Sequence, residues 1–576
     1  MSMKPLLSLG SKKLPNVAGA REEDGASRTL PELEKKPTIC HCVRQHRMSR
    51  TAVRHITARS GDNAAARGFR RPISSCTVDS TPKRYKLIKL TDTSSSQVKD
   101  LLAILMKALL AICYVAGLSL ISYSYFSSQP RLLPGSENDP KLPHPLKMGP
   151  GSAGEGPTNI SHILFGISGS TKTWNDRRKY AELWWQPNVT RGFVWLDERP
   201  AGPDWPSMSP PYRVSEDITR FKYTHRDGSP SAVRIARVVK ESFELGLENV
   251  RWFVMGDDDT VFFPENLAAM LGKYDYNEMY YIGGVSESVE QNVMHSYTMA
   301  YGGGGFGVSY GLAAELVRVL DACIDRYSYF YGSDERIGAC MSEIGVPLTR
   351  ELGFHQLDIR GDPYGLLAAH PLAPLVSLHH LDYVQPLFPG MTQIDSFKKL
   401  IGAYKADPSR TVQQTLCYDL SRNWSVSVSW GYTVQLYPTL VTVKDLQTPF
   451  QTFLTWRSWA PHPFTFNTRP LSPNPCERPV IYLLDRVQEV ATGRTLTTYK
   501  KLPIEPGREC GLENYAPVQS IQLINVSAGV LEPDVWRKVP RRQCCQVVHG
   551  AESGMAAGDL KVSIRGCYRG ESVTPW

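Results

Sequence analysis

Between Asn159 and Met270 the chain alternates short apolar runs with segments whose apolar residues recur every three or four positions. His162-Ile-Leu-Phe-Gly-Ile167 and Gly192-Phe-Val-Trp-Leu196 are strand candidates, the second ending at Asp197. A Ser/Gly/Thr turn after the first leads into a predicted helix from about Trp174 to Trp185. Ser229-Pro230 predicts a further helix start, with Ser as N-cap and Pro in the first turn; Val233, Ala236, Val239, Phe243 and Leu247 make its apolar stripe. Arg251-Trp-Phe-Val-Met-Gly256 reads as a buried strand, and Pro264-Glu265 opens a helix through Leu271. Strands alternating with helices indicate an α/β fold with a mostly parallel central sheet.

Further on, Tyr280-Tyr-Ile-Gly-Gly284 precedes the glycine run Tyr301-Gly-Gly-Gly-Gly-Phe-Gly307, and Leu312–Leu320 and Glu335–Ile344 read as helices. A helix from about Ile394 to Tyr404 closes this domain, expected over residues 159–408. From 409 to 576 the pattern changes to alternating stretches such as Ser425-Val-Ser-Val-Ser-Trp430, broken by prolines, which predicts a smaller β-rich module. Trp424, Trp430, Trp456 and Trp459 in it are read as packing residues, with stacking on sugars as the alternative.

Charge separates the first hundred residues from the rest. Of the chain's 65 Lys and Arg and 56 Asp and Glu, residues 1–100 hold 20 and 9, so the remainder is nearly neutral. A nucleic-acid-binding role is not expected, since its charge belongs on a folded face. Residues 1–100 read as a basic, disordered tail. Leu101–Phe126 is the only long apolar stretch, and a span there with Lys and Arg retained on its N-terminal side predicts a type II membrane protein with a stem over 127–158. The four N-x-Ser/Thr sequons, at Asn159, Asn188, Asn423 and Asn525, all follow it. So do eight of the 12 cysteines: Cys323, Cys340, Cys417, Cys476, Cys510, Cys544, Cys545 and Cys567. An even number permits full pairing in an oxidising lumen, and disulfides are expected rather than zinc ligation.

The candidate chemistry centres on Asp257-Asp258-Asp259, at the C-terminal end of the buried strand, where open α/β sheets bind ligands. Three adjacent carboxylates repel one another and become favourable if a hard divalent cation neutralises them. With Asp334, and His379 or His380 downstream, they fit sugar transfer from a nucleotide diphosphate. The cation would screen the leaving group and a separate carboxylate would take the proton of the acceptor hydroxyl.

Trp252-Phe-Val-Met-Gly-Asp-Asp-Asp-Thr-Val261, Tyr301-Gly-Gly-Gly-Gly-Phe306, Ser333-Asp-Glu-Arg-Ile-Gly338 and Ser377-Leu-His-His-Leu-Asp382 together resemble the Fringe-like β-1,3-glycosyltransferases. The resemblance is to the plant Fringe-related branch that carries a C-terminal region of unknown function. It implies a GT-A fold, a UDP-sugar donor, Mn2+, a glycan or glycoprotein acceptor, inversion at the anomeric carbon and a Golgi membrane location. Carried over, Asp259, His379 and Asp257 look like metal ligands, with His380 the fallback for His379. Asp334 resembles the catalytic base, and Ser333 stands where relatives carry an acid, which leaves Glu335 an alternative base. Asp257, Asp258, Ser168, Thr171, Arg178 and Asp197 fall on the donor side; Gly303, Gly304, Gly305 and Phe306 resemble the acceptor-side loop, with Phe where relatives often have Trp. A non-catalytic glycan-binding or scaffolding protein on the same fold is the competing class.

Overall fold

The computed structural model describes residues 104–119, 156–202, 204–504, 509–538, 540–548 and 558–574. The chain divides into two compact units, residues 1–137 and 138–576. In the first, a helix α1 covers 104–119 with its apolar side chains, among them Ile104, Leu109, Ile112 and Val115, exposed. Among the described residues no helix is long and apolar enough to cross a membrane. The expected span over 101–126 extends beyond α1 at both ends, and its flanks, like the expected tail and most of the stem, lie outside the described residues.

The second unit is mixed α/β, as the alternating pattern predicts. Strands β1 (Ile163–Ser168), β2 (Arg191–Leu196), β3 (Tyr212–Val214) and β4 (Trp252–Asp257) are parallel. They are joined through helices α2 (Trp174–Trp184) and α3 (Ser231–Glu244). Strand β4 is buried on both faces, which is why it reads as a continuous apolar run rather than an alternation. Helix α3 starts one residue later than Ser229-Pro230 implies, with Pro230 at the N-cap; the Ser229 hydroxyl accepts the Ser231 N–H at 3.3 Å just outside it. After β5 (Val261–Phe262) and α4 (Pro264–Leu271) come β6 (Tyr281–Gly283), α5 (Val289–Met294), β7 (Phe306–Ser309), α6 (Tyr310–Arg326), α7 (Ser333–Ile344) and β8 (Leu348–Arg350). The seven-stranded order is β3-β2-β1-β4-β7-β6-β8, with β7 antiparallel to both neighbours. The disulfide Cys323–Cys340 ties α6 to α7.

Beyond β8 the chain forms β9 (Phe354–His355), β10 (Ile359–Gly361), α8 (Tyr364–Ala368), β11 (Ser377–Leu378) and α9 (Gln393–Ala406). Strands β5, β11 and β9 make a separate three-stranded sheet. The C-terminal part supplies β12 (Gln414–Asp419), β13 (Trp424–Ser429), β14 (Thr433–Tyr437), β15 (Phe453–Thr455), β16 (Val480–Ala491), β17 (Arg494–Lys501), β18 (Leu523–Gly529), β19 (Cys544–Val548) and β20 (Asp559–Arg565). All but β15 form an eight-stranded sheet, in the order β12-β13-β14-β16-β17-β18-β20-β19. Its edge strands β12 and β19 are bridged by Cys417–Cys545, so the sheet bends round until its edges meet. Cys476–Cys510 and Cys544–Cys567 complete the pairing of the eight cysteines. Trp424 and Trp430 are buried in the core, whereas Trp459 is exposed.

One apolar cluster runs from β1 and α2 through α9 into this second sheet, joining Phe165, Trp184, Phe397, Trp430, Tyr482 and Val526. A buried ion pair pins the junction: the Asp407 carboxylate, at the end of α9, accepts from Arg410 Nε at 2.8 Å and from the Leu531 N–H at 3.2 Å. Arg410 also donates to Gln543 and to the carbonyl of Gly529. Asp407→Ala would leave the Arg410 guanidinium buried without its carboxylate, so urea unfolding of the variant should show a loss of about 3–5 kcal/mol. A loss under about 1 kcal/mol would show that the pair does not hold the junction.

Candidate metal and transfer site

Strand β4 ends on Asp257, and the chain turns back through Asp258, Asp259 and Thr260 into β5. The Thr260 hydroxyl locks this turn, accepting the Asp257 N–H at 2.9 Å and donating to the Gly303 carbonyl at 2.7 Å. Strand β5 then pairs antiparallel with β11, Leu378 opposite Val261. The next residue, His379, therefore comes level with Thr260, and its Nε2 lies 3.1 Å from Asp259 Oδ1 and 3.8 Å from Asp257 Oδ2. Gly303 lies under the imidazole, where a Cβ would overlap the ring. The carbonyl of the adjacent Gly304 accepts from Ser377, and its N–H donates to Gln356 Oε1 at 2.5 Å.

Asp258 and Asp259 are buried, while the Asp257 side chain remains about a third exposed, at 34%. Buried carboxylates need compensating charge or hydrogen bonds. Asp258 has both: Arg177 Nη1 at 3.0 Å and the Thr173 hydroxyl at 3.0 Å. Arg177 also lies 3.4 Å from Asp259 Oδ1. Burial opposes ionisation of Asp259, but the His379 and Arg177 charges outweigh it and hold the carboxyl well below the usual range. Asp257 is pushed up to about 7, first by burial and then by its two acidic neighbours, against the pull of His379. Burial likewise disfavours a charged His379, yet Asp259 overrides it and raises the imidazole to about 9.

Across a small pocket lined by Ser168, Gly256, Asp257, Gly302, Ser333 and Asp334 stands the start of α7. Asp334 Oδ2 accepts the Gly302 N–H at 3.3 Å, and burial raises its carboxyl above the ordinary value. Glu335, one residue on, is differently engaged. Its carboxylate takes the Gly332 N–H at 2.9 Å, as an N-terminal capping box, and meets His295 Nδ1 at 2.9 Å. Burial alone would raise Glu335, but these two bonds hold it below the usual range.

The structure thus brings Asp257, Asp259 and His379 together, with Asp334 across the pocket. His380, in the left-handed conformation at φ 54°, turns away to bond Asp358 Oδ1 at 3.0 Å. Of the residues expected on the donor side, Ser168 lines the pocket, while Asp197 accepts from Ser170 at 2.9 Å and from the Thr171 N–H at 2.8 Å at the ends of β1 and β2. Arg178 does not reach the carboxylates; it pairs with Glu182 at 2.6 Å, one helical turn on. Arg177 is the arginine that does, and with Thr173 it was missed in the sequence. The signal was present: Arg177 falls on the stripe Trp174, Ala181 and Trp184 that α2 buries. Gly303 to Gly305 and Phe306 pack inward against His379, Gln356, Phe262 and Tyr281, and Phe306 also lines the pocket.

Among the described residues, two groups have the composition and closeness to hold a metal ion. One includes Cys544 and Cys567, which are disulfide-bonded to each other. The other is Asp257, Asp259 and His379, with one ligand atom from each within 4.8 Å of the others. Asp259 Oδ2 and His379 Nδ1 are buried and, among the described residues, have no hydrogen-bond partner. Two carboxylates and an imidazole, one oxygen still unsatisfied, fit a divalent cation that prefers oxygen and nitrogen donors.

Residues 215–362 match the Fringe-like family, and residues 291–545 match a protein family of unknown function, DUF604, so the two matches overlap over 291–362. The chain thus carries a Fringe-like match followed by, and overlapping with, a DUF604 match. Mouse xyloside xylosyltransferase 1 in its apo form is similar over 33% of this chain and 84% of that one, at 8% identity and a TM-score of 0.20. No curated protein matches the chain.

Because a Cβ at Gly303 would displace the His379 ring, Gly303→Ala should weaken Mn2+ binding about tenfold or more in equilibrium dialysis, while the melting temperature changes little. Unchanged Mn2+ binding would remove His379 from the ligand set.

Proposed function

We propose that the protein is a Mn2+-dependent, inverting glycosyltransferase that moves a hexose or N-acetylhexosamine from a UDP-sugar to a glycan or glycoprotein hydroxyl, forming a β-1,3 linkage. The carrying observation is the convergence of Asp257, Asp259 and His379, with Asp257 lining a pocket whose other side presents Asp334. A divalent cation held there would supply screening of the negative charge that builds on the diphosphate as the sugar leaves. Asp257, Asp259 and His379 hold it, while Arg177 and Thr173 fix Asp258 and keep the triplet from splaying apart. Asp334 takes the proton of the acceptor hydroxyl. Its burial raises its proton affinity, which suits a base; Glu335 is committed to Gly332 and His295. Ser168, Thr171 and Asp197 line the approach on the donor side, with Arg177 taking the place expected of Arg178.

The same proposal puts the protein in the Golgi membrane as a type II protein held by the stretch 101–126. The apolar side chains that α1 exposes support an anchor there. Resistance of the full-length protein to carbonate extraction would agree with it, and release by carbonate would not.

Three outcomes test the chemistry. Asp334→Asn should lower transfer about 10²–10⁴-fold while UDP-sugar and Mn2+ still bind. Asp259→Ala should abolish Mn2+-dependent UDP release, and retained release would overturn the assignment. A base must be ionised to act, and the Asp334 carboxyl is raised, so kcat/KM should fall on acidification through an apparent pKa above the ordinary carboxylate value of about 4. An acid limb at or below 4 would exclude Asp334 as the base.

A further inference from the structure

Strand β15, from the C-terminal region, adds to β10 with Thr455 opposite Ile359. The following residue, Trp456, comes level with Asp358, the residue that receives His380 Nδ1 at 3.0 Å and the Ser286 hydroxyl at 2.6 Å. The Trp456 ring stacks on His380 at 4.3 Å and an angle of 9°, and His380 in turn lies 4.0 Å from the His379 ring. Tyr383 closes the edge of Trp456 at 4.9 Å, and the Arg360 guanidinium carbon lies 3.8 Å from its centre. The turn carrying Trp456 is itself fixed: the Glu290 carboxylate accepts the Arg457 N–H at 3.0 Å and the Ser458 N–H at 3.3 Å.

We propose that Trp456 is a positioning residue for His379, so that strand β15 of the C-terminal part supports the metal site at the end of β4. Trp456 stacks on His380, the His380 ring meets the His379 ring at 4.0 Å and a tilt of 30°, and His379 meets Asp259. His380 sits in a left-handed conformation that a non-glycine residue adopts only at a cost in backbone strain. The Asp358 bond and the Trp456 face hold it there. Without that face the His380 ring is left with the Asp358 bond, and the His379 imidazole loses part of the packing that keeps its Nε2 aimed at Asp259 and Asp257.

The inference rests on the metal-dependent reading above, and the experiment separates the two. In the full-length protein, Trp456→Phe keeps a ring face and Trp456→Leu keeps apolar bulk without one; Trp456→Met serves if the Leu variant does not fold. Equilibrium dialysis with Mn2+ should show Phe within about twofold of wild type and Leu about tenfold weaker, with similar melting temperatures for both. Wild-type binding by the Leu variant, or equal loss in the Phe and Leu variants, would overturn the role of the ring face. If the wild type itself binds no Mn2+, the metal-dependent reading falls and this inference falls with it.

Discussion

Three carboxylates at the end of a strand buried on both faces are the constraint around which the site is arranged. Two of them, Asp258 and Asp259, are almost fully removed from water, and ionised carboxylates in that setting are costly unless countered. The fold brings the counter-charges from opposite directions. Arg177 comes from the first helix of the sheet, and His379 directly follows a two-residue strand more than a hundred positions away. The Thr260 hydroxyl and the Gly303 carbonyl tie the acidic turn to the glycine run, so the peptide carrying the acids and the peptide beneath the imidazole move as one.

Much of this was legible in the sequence. The apolar run before Asp257, the stripes of α2 and α3, and the even cysteine count specify the central sheet, its covering helices and an oxidised chain. Asp257, Asp259 and His379 were picked out by residue type and by resemblance, and the β5–β11 register shows the physical route by which they meet. That register could not be read beforehand, because a two-residue strand such as Ser377-Leu378 carries too few positions to show a period. Choosing between Arg177 and Arg178 required the rotation of α2 about its axis. Glu335 could be set apart from Asp334 only once the capping geometry of α7 and the position of His295 were visible.

The C-terminal region was the least legible. Its alternation announces strands but not their order, and nothing local marks β15 as a strand that leaves its own sheet to pair with β10. Trp456 looks in sequence like any of its tryptophan neighbours. Trp424 and Trp430 pack the core, whereas Trp456 faces the histidine pair. Long-range pairing of this kind depends on three-dimensional closure, which periodicity does not record.

The apolar cluster that passes without interruption from β1 into the curled second sheet has a further consequence. Modular enzymes diversify by exchanging whole domains at exposed linkers where few contacts cross. Here a cut near residue 408 would strip the covering from Phe397, Trp430 and Tyr482 at once, and would sever Asp407 from Arg410 and from the Leu531 N–H. The two parts share one core, so neither can be exchanged without uncovering the other.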